Sequence, residues 1–445
     1  MRKHKALWLS VFLWGSGQFI ICRQKMKGLF FFMMQLVFIG IELFSGYWIQ
    51  YASGLIPDFS IRLHGGFFTK GIWGLITLGE KTGGKYGDHS AMLLIRGVIA
   101  LFVIILFALI YLWNLKDAYY SGLMIDKNGT CINTKEAFKR FYSRNFPYFI
   151  LIPIGILFLF IVVMPIVFSV LTAFINYNRD HLPPGKLLSW VGISNFRKLF
   201  TVPIWSHTFL KVIIWTILWT LIGTFSTYFF GMLQALILNH KAVRCKNIFR
   251  TILILPWAIP QMVSLLVFRN LLNGQFGPVN QALLKLGVIS ENIPFLSDPL
   301  IAKISIIVVN LWLGFPVFMV MMLGVLANLD QSLFEAAAID GAGKYQSFLK
   351  ITLPLVFQAT AANLIMSMAG NFNAFGAIYF LTQGGPNNPD MQFAGSTDIL
   401  ISWIYKLTLN QQMYDIAAVM SVLLFAVIGA VSFWNFRRTV SFKEL

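Results

Sequence analysis

Three side-chain amides, Gln261, Asn310 and Asn371, stand inside long apolar stretches of a 445-residue chain. Trp257 lies just before the first, Gly314 just after the second, and Ser367 just before the third. An amide carries donors and an acceptor. This set can therefore exchange hydrogen bonds with a neutral, hydroxyl-rich solute while Trp257 offers an aromatic face. The same residue types also serve as interhelical hydrogen-bond partners and close-packing positions. Depth favours the first use. At 1.5 Å per residue, each amide lies roughly 20–25 Å from the same end of its segment, and polar groups at mid-membrane persist only in protein or against a wet cavity.

Such residues need membrane-spanning elements to hold them. The chain is 57% hydrophobic and only 12% charged, with a mean hydropathy of +0.72, which places it in the membrane class. Apolar runs of roughly 20 residues suffice to cross a bilayer, and they occur near 28–49, 92–114, 148–177, 208–239, 248–271, 301–327, 356–381 and 413–436. The expected fold is an all-α polytopic membrane protein of about eight transmembrane helices. Pro256 and Pro260 should interrupt span five, Asn310, Gly314 and Pro316 span six, and Ser367, Asn371, Asn373 and Gly376 span seven. Segment 6–22 is apolar but short, with Arg and Lys on both flanks, and reads as an interfacial or re-entrant hairpin.

The formal net charge of +18 sits in short clusters between apolar runs rather than on one face. That pattern suits anionic lipid headgroups, not nucleic acid. Most of the 35 Lys and Arg fall on the cytoplasmic side when both termini are placed inside, with Lys135, Lys139, Arg140 and Arg144 and then Lys241, Arg244, Lys246 and Arg250 as the main clusters. Cys22, Cys131 and Cys245 then share the reducing side, without a disulfide framework or zinc spacing. Glu42 and Arg96, at the outer ends of spans one and two, are expected to pair. Residues 1–146 look like an accessory addition of an interfacial segment, two spans and a basic linker; six spans follow in 147–445.

Between spans six and seven lies EAAAIDGAGKYQSFLKITLPL (335–355). Ser332 and Glu335 form an S-x-x-E capping box, Ala336 to Ala338 favour helix, and Asp340-Gly341 supplies a stop. A second short helix should run from Lys344 to Ile351. This helix, turn and helix would project from the cytoplasmic face. The chain has no G-x-x-x-x-G-K-[ST] phosphate loop. Its six histidines are scattered and form no H-E-x-x-H or acid/base pair, which disfavours an enzyme. The interiors of spans three to eight lack the Asp, Glu or His relay of an ion-coupled secondary transporter.

The E-A-A-x-x-D-G-A pattern followed by Phe348 and Ile351-x-Leu353-Pro354 resembles the EAA loop of bacterial ABC importer permeases at 330–355. ILPWAIPQMVSLLVF (254–268), VVNLWLGFP (308–316), NFNAF (371–375) and LTQGGP (381–386) look like permeases of the MalF type from maltose and maltodextrin importers, from about residue 147 onward. The resemblance implies a type I importer core with both termini cytoplasmic in a bacterial cell membrane. It implies a coupling helix in which Glu335, Ala336, Ala337, Asp340 and Gly341 seat in an ATPase groove. The partners implied are two copies of that ATPase, which would bind ATP and Mg, a second permease subunit and an extracytoplasmic sugar-binding protein. No cofactor or metal is expected in this chain, nor catalytic activity of its own.

The implied substrate-binding residues are Trp257, Gln261, Asn310, Leu313, Gly314, Ser367, Gly370 and Asn371, and the implied cargo is maltose or maltodextrin, with another sugar or sugar-like solute as the alternative. Four positions depart from the family: Gln261 replaces a serine, Val317 a tyrosine, Gly370 a phenylalanine and Ala374 an asparagine. These reshape the pocket. The loop after span three (178–205) is short where a large external domain occurs in the family, so the binding protein would dock on it together with 384–409 and 65–88.

Overall fold

The computed structural model describes residues 2–56, 58, 60–81, 87–129, 134–240 and 242–436. Cys131, Lys241, part of the 65–88 loop and the C-terminus, all named above, lie outside them. Every regular element among the described residues is helical. Six helices are long and apolar enough to cross a membrane: Lys25–Ser45, Ser90–Lys127, Phe146–Thr172, Pro203–Asn239, Pro299–Ala327 and Lys344–Phe372. A bent pair, Lys246–Ala258 and Gln261–Leu271, makes a seventh if taken as one span, and the eighth expected segment contains a shorter apolar helix, Tyr414–Ala430. The chain forms two compact units, Met1–Asn195 and Phe196–Leu445.

In the first unit, α1 (Arg2–Phe12) is followed by a π-helical turn at Gly17–Ile21 and then α2 (Lys25–Ser45). Further on come α3 (Phe67–Thr77), α4 (Ser90–Asn128), α5 (Thr134–Phe158) and α6 (Met164–Thr172). At 11 residues, α1 spans about 16 Å, too little to cross. It folds antiparallel against the C-terminal part of α4. The Arg2 and Lys3 amides donate to Asp126, the Asn114 side chain donates to the Ser10 carbonyl, and Gln18 Nε2 donates to Asn114. The short apolar segment is thus a hairpin pinned by buried polar side chains.

The expected Glu42–Arg96 pair does not form. Glu42 accepts instead from the Phe68 and Thr69 amides, the Thr69 hydroxyl and the Trp48 indole. A carboxylate at a helix N-terminus satisfies the unpaired amides of the first turn, so α3 supplies the partner that sequence reasoning sought in an arginine.

In the second unit, α7 (Pro203–Asn239) packs along α10 (Pro299–Ala327). Between them in sequence are α8 (Lys246–Ala258) and α9 (Gln261–Leu271), bent by 89°. The bend falls where expected: Ile259, preceding Pro260, is driven to extended backbone (ψ 134), as residues before proline are. Span six differs from expectation, since α10 runs unbroken through Pro316. Gly231 on α7 meets Phe315 so closely that a Cβ there would lie 2.8 Å from the Phe315 carbonyl. The helix continues through this close contact although proline removes one of its hydrogen bonds.

The coupling segment is α11 (Gln331–Ile339). Its cap is Asp330 rather than Ser332: Asp330 Oδ1 accepts from the Ser332 amide at 2.9 Å, so the helix starts two residues earlier. Gly341, at φ +80, ends it in the left-handed region, as read from sequence. The second helix is not separate. α12 (Lys344–Ser347), a π-helical turn at Phe348–Thr352 and α13 (Leu353–Phe372) run on as one element. The π turn widens the helix immediately before Pro354, relieving the clash its ring would make. A break at Asn373-Ala374 precedes α14 (Phe375–Thr382), after which come α15 (Leu400–Tyr405) and α16 (Tyr414–Phe436).

Candidate functional site

Two apolar clusters build the core of the second unit. One gathers Trp215, Trp219, Leu265, Val309, Leu313 and Ile378; the other gathers Tyr228, Phe315, Phe318, Met322, Val356 and Leu364. On α7 the first cluster ends at Trp219 and the second begins at Tyr228; on α10 the change falls between Leu313 and Phe315; α13 gives Val356 and Leu364 to the second, and the first resumes on α14 at Ala377, beyond Ser367 and Asn371. Polar side chains on three helices therefore occupy one belt between two dry layers.

A cavity of about 460 Å³ opens in this belt, lined by Thr227, Asn310, Gly314, Val317, Phe318, Met321, Asn363, Ser367 and Asn371. A second, of about 470 Å³, lies against the α8–α9 break and is lined by Pro256, Trp257, Ala258, Ile259, Pro260, Gln261, Asn310, Leu313 and Gly314. Asn310 and Gly314 belong to both walls. The structure thus brings together seven of the eight residues picked from sequence; Gly370, exposed on α13, lines neither cavity. No lining residue is charged.

Hydrogen bonds fix the amides. Asn371 Nδ2 donates to Thr224 Oγ1 at 2.8 Å, and the Trp219 indole donates to the Asn371 carbonyl at 2.9 Å. Asn310 Nδ2 reaches the Gly223 carbonyl at 3.5 Å. A Cβ on Gly223 would sit 3.2 Å from the Asn310 amide, so glycine is what permits the approach. The α7 contributors Gly223, Thr224 and Thr227 were missed by sequence reasoning. Their signal was present as Thr216, Thr220, Thr224 and Thr227, a helical stripe of small polar residues. These arrangements leave amide groups, hydroxyls and the largely exposed Trp257 ring available to a polyhydroxylated ligand of a size common for pockets.

At the far end of α10, Glu335 and Ala336 are exposed on α11, Ala337 is half-buried, and Asp340 and Gly341 form its exposed end. Ile339 and Tyr345 beside them are 87% and 73% exposed. The Ser332 amide and hydroxyl hold the Asp330 carboxyl below its ordinary range.

The architecture is that of an all-helical multi-pass permease. A family model described as "Binding-protein-dependent transport system inner membrane component" matches residues 227–440. The chain is 38% identical over 99% of its length, and 98% of the relative's, to the galactooligosaccharides transport system permease protein GanP of Bacillus subtilis. It is 35% identical over 98% of its length, and 96% of the relative's, to the maltodextrin transport system permease protein MalC of Streptococcus pneumoniae. A crystal structure of a bacterial ABC transporter involved in the import of the acidic polysaccharide alginate matches in fold, with a TM-score of 0.55 at 24% identity, over 68% of this chain and 99% of that one. The chain belongs to the carbohydrate ABC importer permeases of the MalF, MalC and GanP kind. It is the inner-membrane permease component of a binding-protein-dependent oligosaccharide importer, not its ATPase.

Proposed function

We propose that this permease carries a neutral oligosaccharide of the maltodextrin or galactooligosaccharide class through the Asn310–Asn371 belt. The observation that carries this reading is the uncharged, amide-rich lining shared by the two cavities. A neutral sugar needs donors and acceptors for its hydroxyls and an aromatic face for its rings; an acidic polysaccharide would need cations, and none lines the belt. Maltodextrin is the first cargo to test, because the quoted motifs match that family. Galactooligosaccharide is the second reading, favoured by the 38% identity to its permease.

In this reading residues 147–445 form the type I core and the preceding segments are accessory, with eight crossings and both termini cytoplasmic. Two ATPase subunits, which hold ATP and Mg, engage Glu335, Ala336, Ala337, Asp340 and Gly341; the exposure of Ile339 and Tyr345 supports a protein partner there. Closure of those subunits rocks the bundles and turns the belt from an extracytoplasmic binding protein toward the cytoplasm. A second permease subunit completes the pathway. The test is ATP hydrolysis by the assembled complex with its binding protein. Neutral maltodextrins or galactooligosaccharides should stimulate it; stimulation by uronic-acid oligosaccharides alone would sink the reading.

A further inference from the structure

A third cavity, of about 340 Å³, lies where α7 and α10 begin, at the opposite end of α10 from the coupling helix. Its lining includes Lys211, Trp215, Lys303, Ser396 and Asp398. Lys303 Nζ stands 4.6 Å from the centre of the Trp215 ring, which orients the ammonium without neutralising it. The carboxylate in the wall is already engaged. Asp398 accepts from Lys406 at 2.5 Å, from the Gly395 amide at 2.7 Å and from the Ser402 hydroxyl at 2.7 Å. Asp398 and Lys406 cancel, which leaves two lysines without an ion pair among the described residues. Ser396 is 7% exposed, and its buried hydroxyl has no hydrogen-bond partner among the described residues.

An exposed and a half-buried ammonium group beside an unspent donor make this a place where an anion is favoured. The surroundings say which kind. Lys211 sits about 12 Å and Lys303 about 6 Å in from the starts of their helices, the depth of a headgroup region. On the same helices Leu210, Ile214 and Leu218 and then Leu300, Ile304 and Val308 are 46–67% exposed. A charged pocket that opens onto an apolar face fits an amphiphile with an anionic head.

We propose that Lys211, Lys303 and the Ser396 hydroxyl hold the phosphodiester of an anionic phospholipid, with its acyl chains along α7 and α10. The site is separate from the sugar belt and does not depend on the cargo.

The assembled transporter would be placed in nanodiscs of phosphatidylcholine with or without phosphatidylglycerol, released into detergent and weighed intact. Wild-type complex should retain phosphatidylglycerol over phosphatidylcholine. K211M/K303M should lower that retention on the order of tenfold, S396A should lower it in part, and K303R should preserve it. Equal retention by wild type and K211M/K303M would overturn the proposal. So would displacement of the lipid by millimolar inorganic phosphate, which marks a free-ion site. Restoration of a K303E complex by an acid-to-lysine change in a partner subunit would equally overturn it, since the anion would then be a protein carboxylate. Should K211M/K303M fail to assemble, S396A and K303R carry the same comparison, and unchanged retention in S396A would refute the site.

Discussion

The Asn371 side-chain amide donates to the Thr224 hydroxyl at 2.8 Å, across the contact between α13 and α7. Because Trp219 simultaneously holds the Asn371 carbonyl, this residue is fixed at both its main chain and its side chain. Asn371 lines a cavity together with Asn310 and Ser367. The Thr224 bond restricts an otherwise flexible amide at a helix end.

Removing the hydroxyl should therefore disturb the sugar site without touching the sugar. Thr224→Val leaves the Asn371 amide unpaired, a loss of about 1 kcal/mol, and should raise the KM for uptake about fivefold; Thr224→Ser should restore it. Asn371→Ala should weaken uptake at least as much, and Thr224→Val should add little on top of it, because the two act through one bond. Additive losses in transport assays would show that they act separately.

Trp257 presents its ring to the cavity beside the α8–α9 break. Trp257→Ala should raise KM about tenfold, on the scale of a lost aromatic face, and Trp257→Phe should recover most of it. Co-purification with partner subunits should be unchanged in both.

Asp330 caps the coupling helix. Asp330→Ala should lower sugar-stimulated ATP hydrolysis several-fold while membrane insertion stays intact, and Asp330→Ser or Asn should retain it. The sign of the pH effect is set by the Ser332 contacts, which depress the Asp330 pKa. The cap's stabilisation is present above the unfolded value of about 3.9 and is lost as pH falls through the lower folded one. Between pH 5 and 8 this group should leave the coupling ratio flat. Glu335→Lys should uncouple hydrolysis from transport; full transport by that variant would remove the coupling helix from its assigned role.

Glu42 serves α3 as a cap. Glu42→Ala should lower thermal stability by about 1 kcal/mol, Glu42→Gln should cost less, and exchanging the charges of Glu42 and Arg96 should not rescue a single reversal. Rescue in a melting assay would restore the ion pair that the geometry denies.

Much of this molecule was legible in its sequence because hydropathy and proline report on single helices. Pro260 announced the bend, and Gly341 announced the end of the coupling helix. Properties that depend on a neighbouring helix were not legible. Pro316 does not break α10 because Gly231 of α7 packs against it, and Thr224 enters the site only through the register of α7 against α13. Asp330 and Ser332 both suit a cap position, and geometry alone chose between them. Glu42 found backbone amides, which carry no sequence signature.

The central claim is that the sugar sits between the two apolar layers of the second unit. Cryo-electron microscopy of the assembled transporter with a bound maltodextrin or galactooligosaccharide tests it most directly. The account predicts sugar density within hydrogen-bond distance of Asn310 and Asn371, with a ring against Trp257. Sugar density confined to other surfaces, with Asn310 and Asn371 contacting only protein, would contradict it.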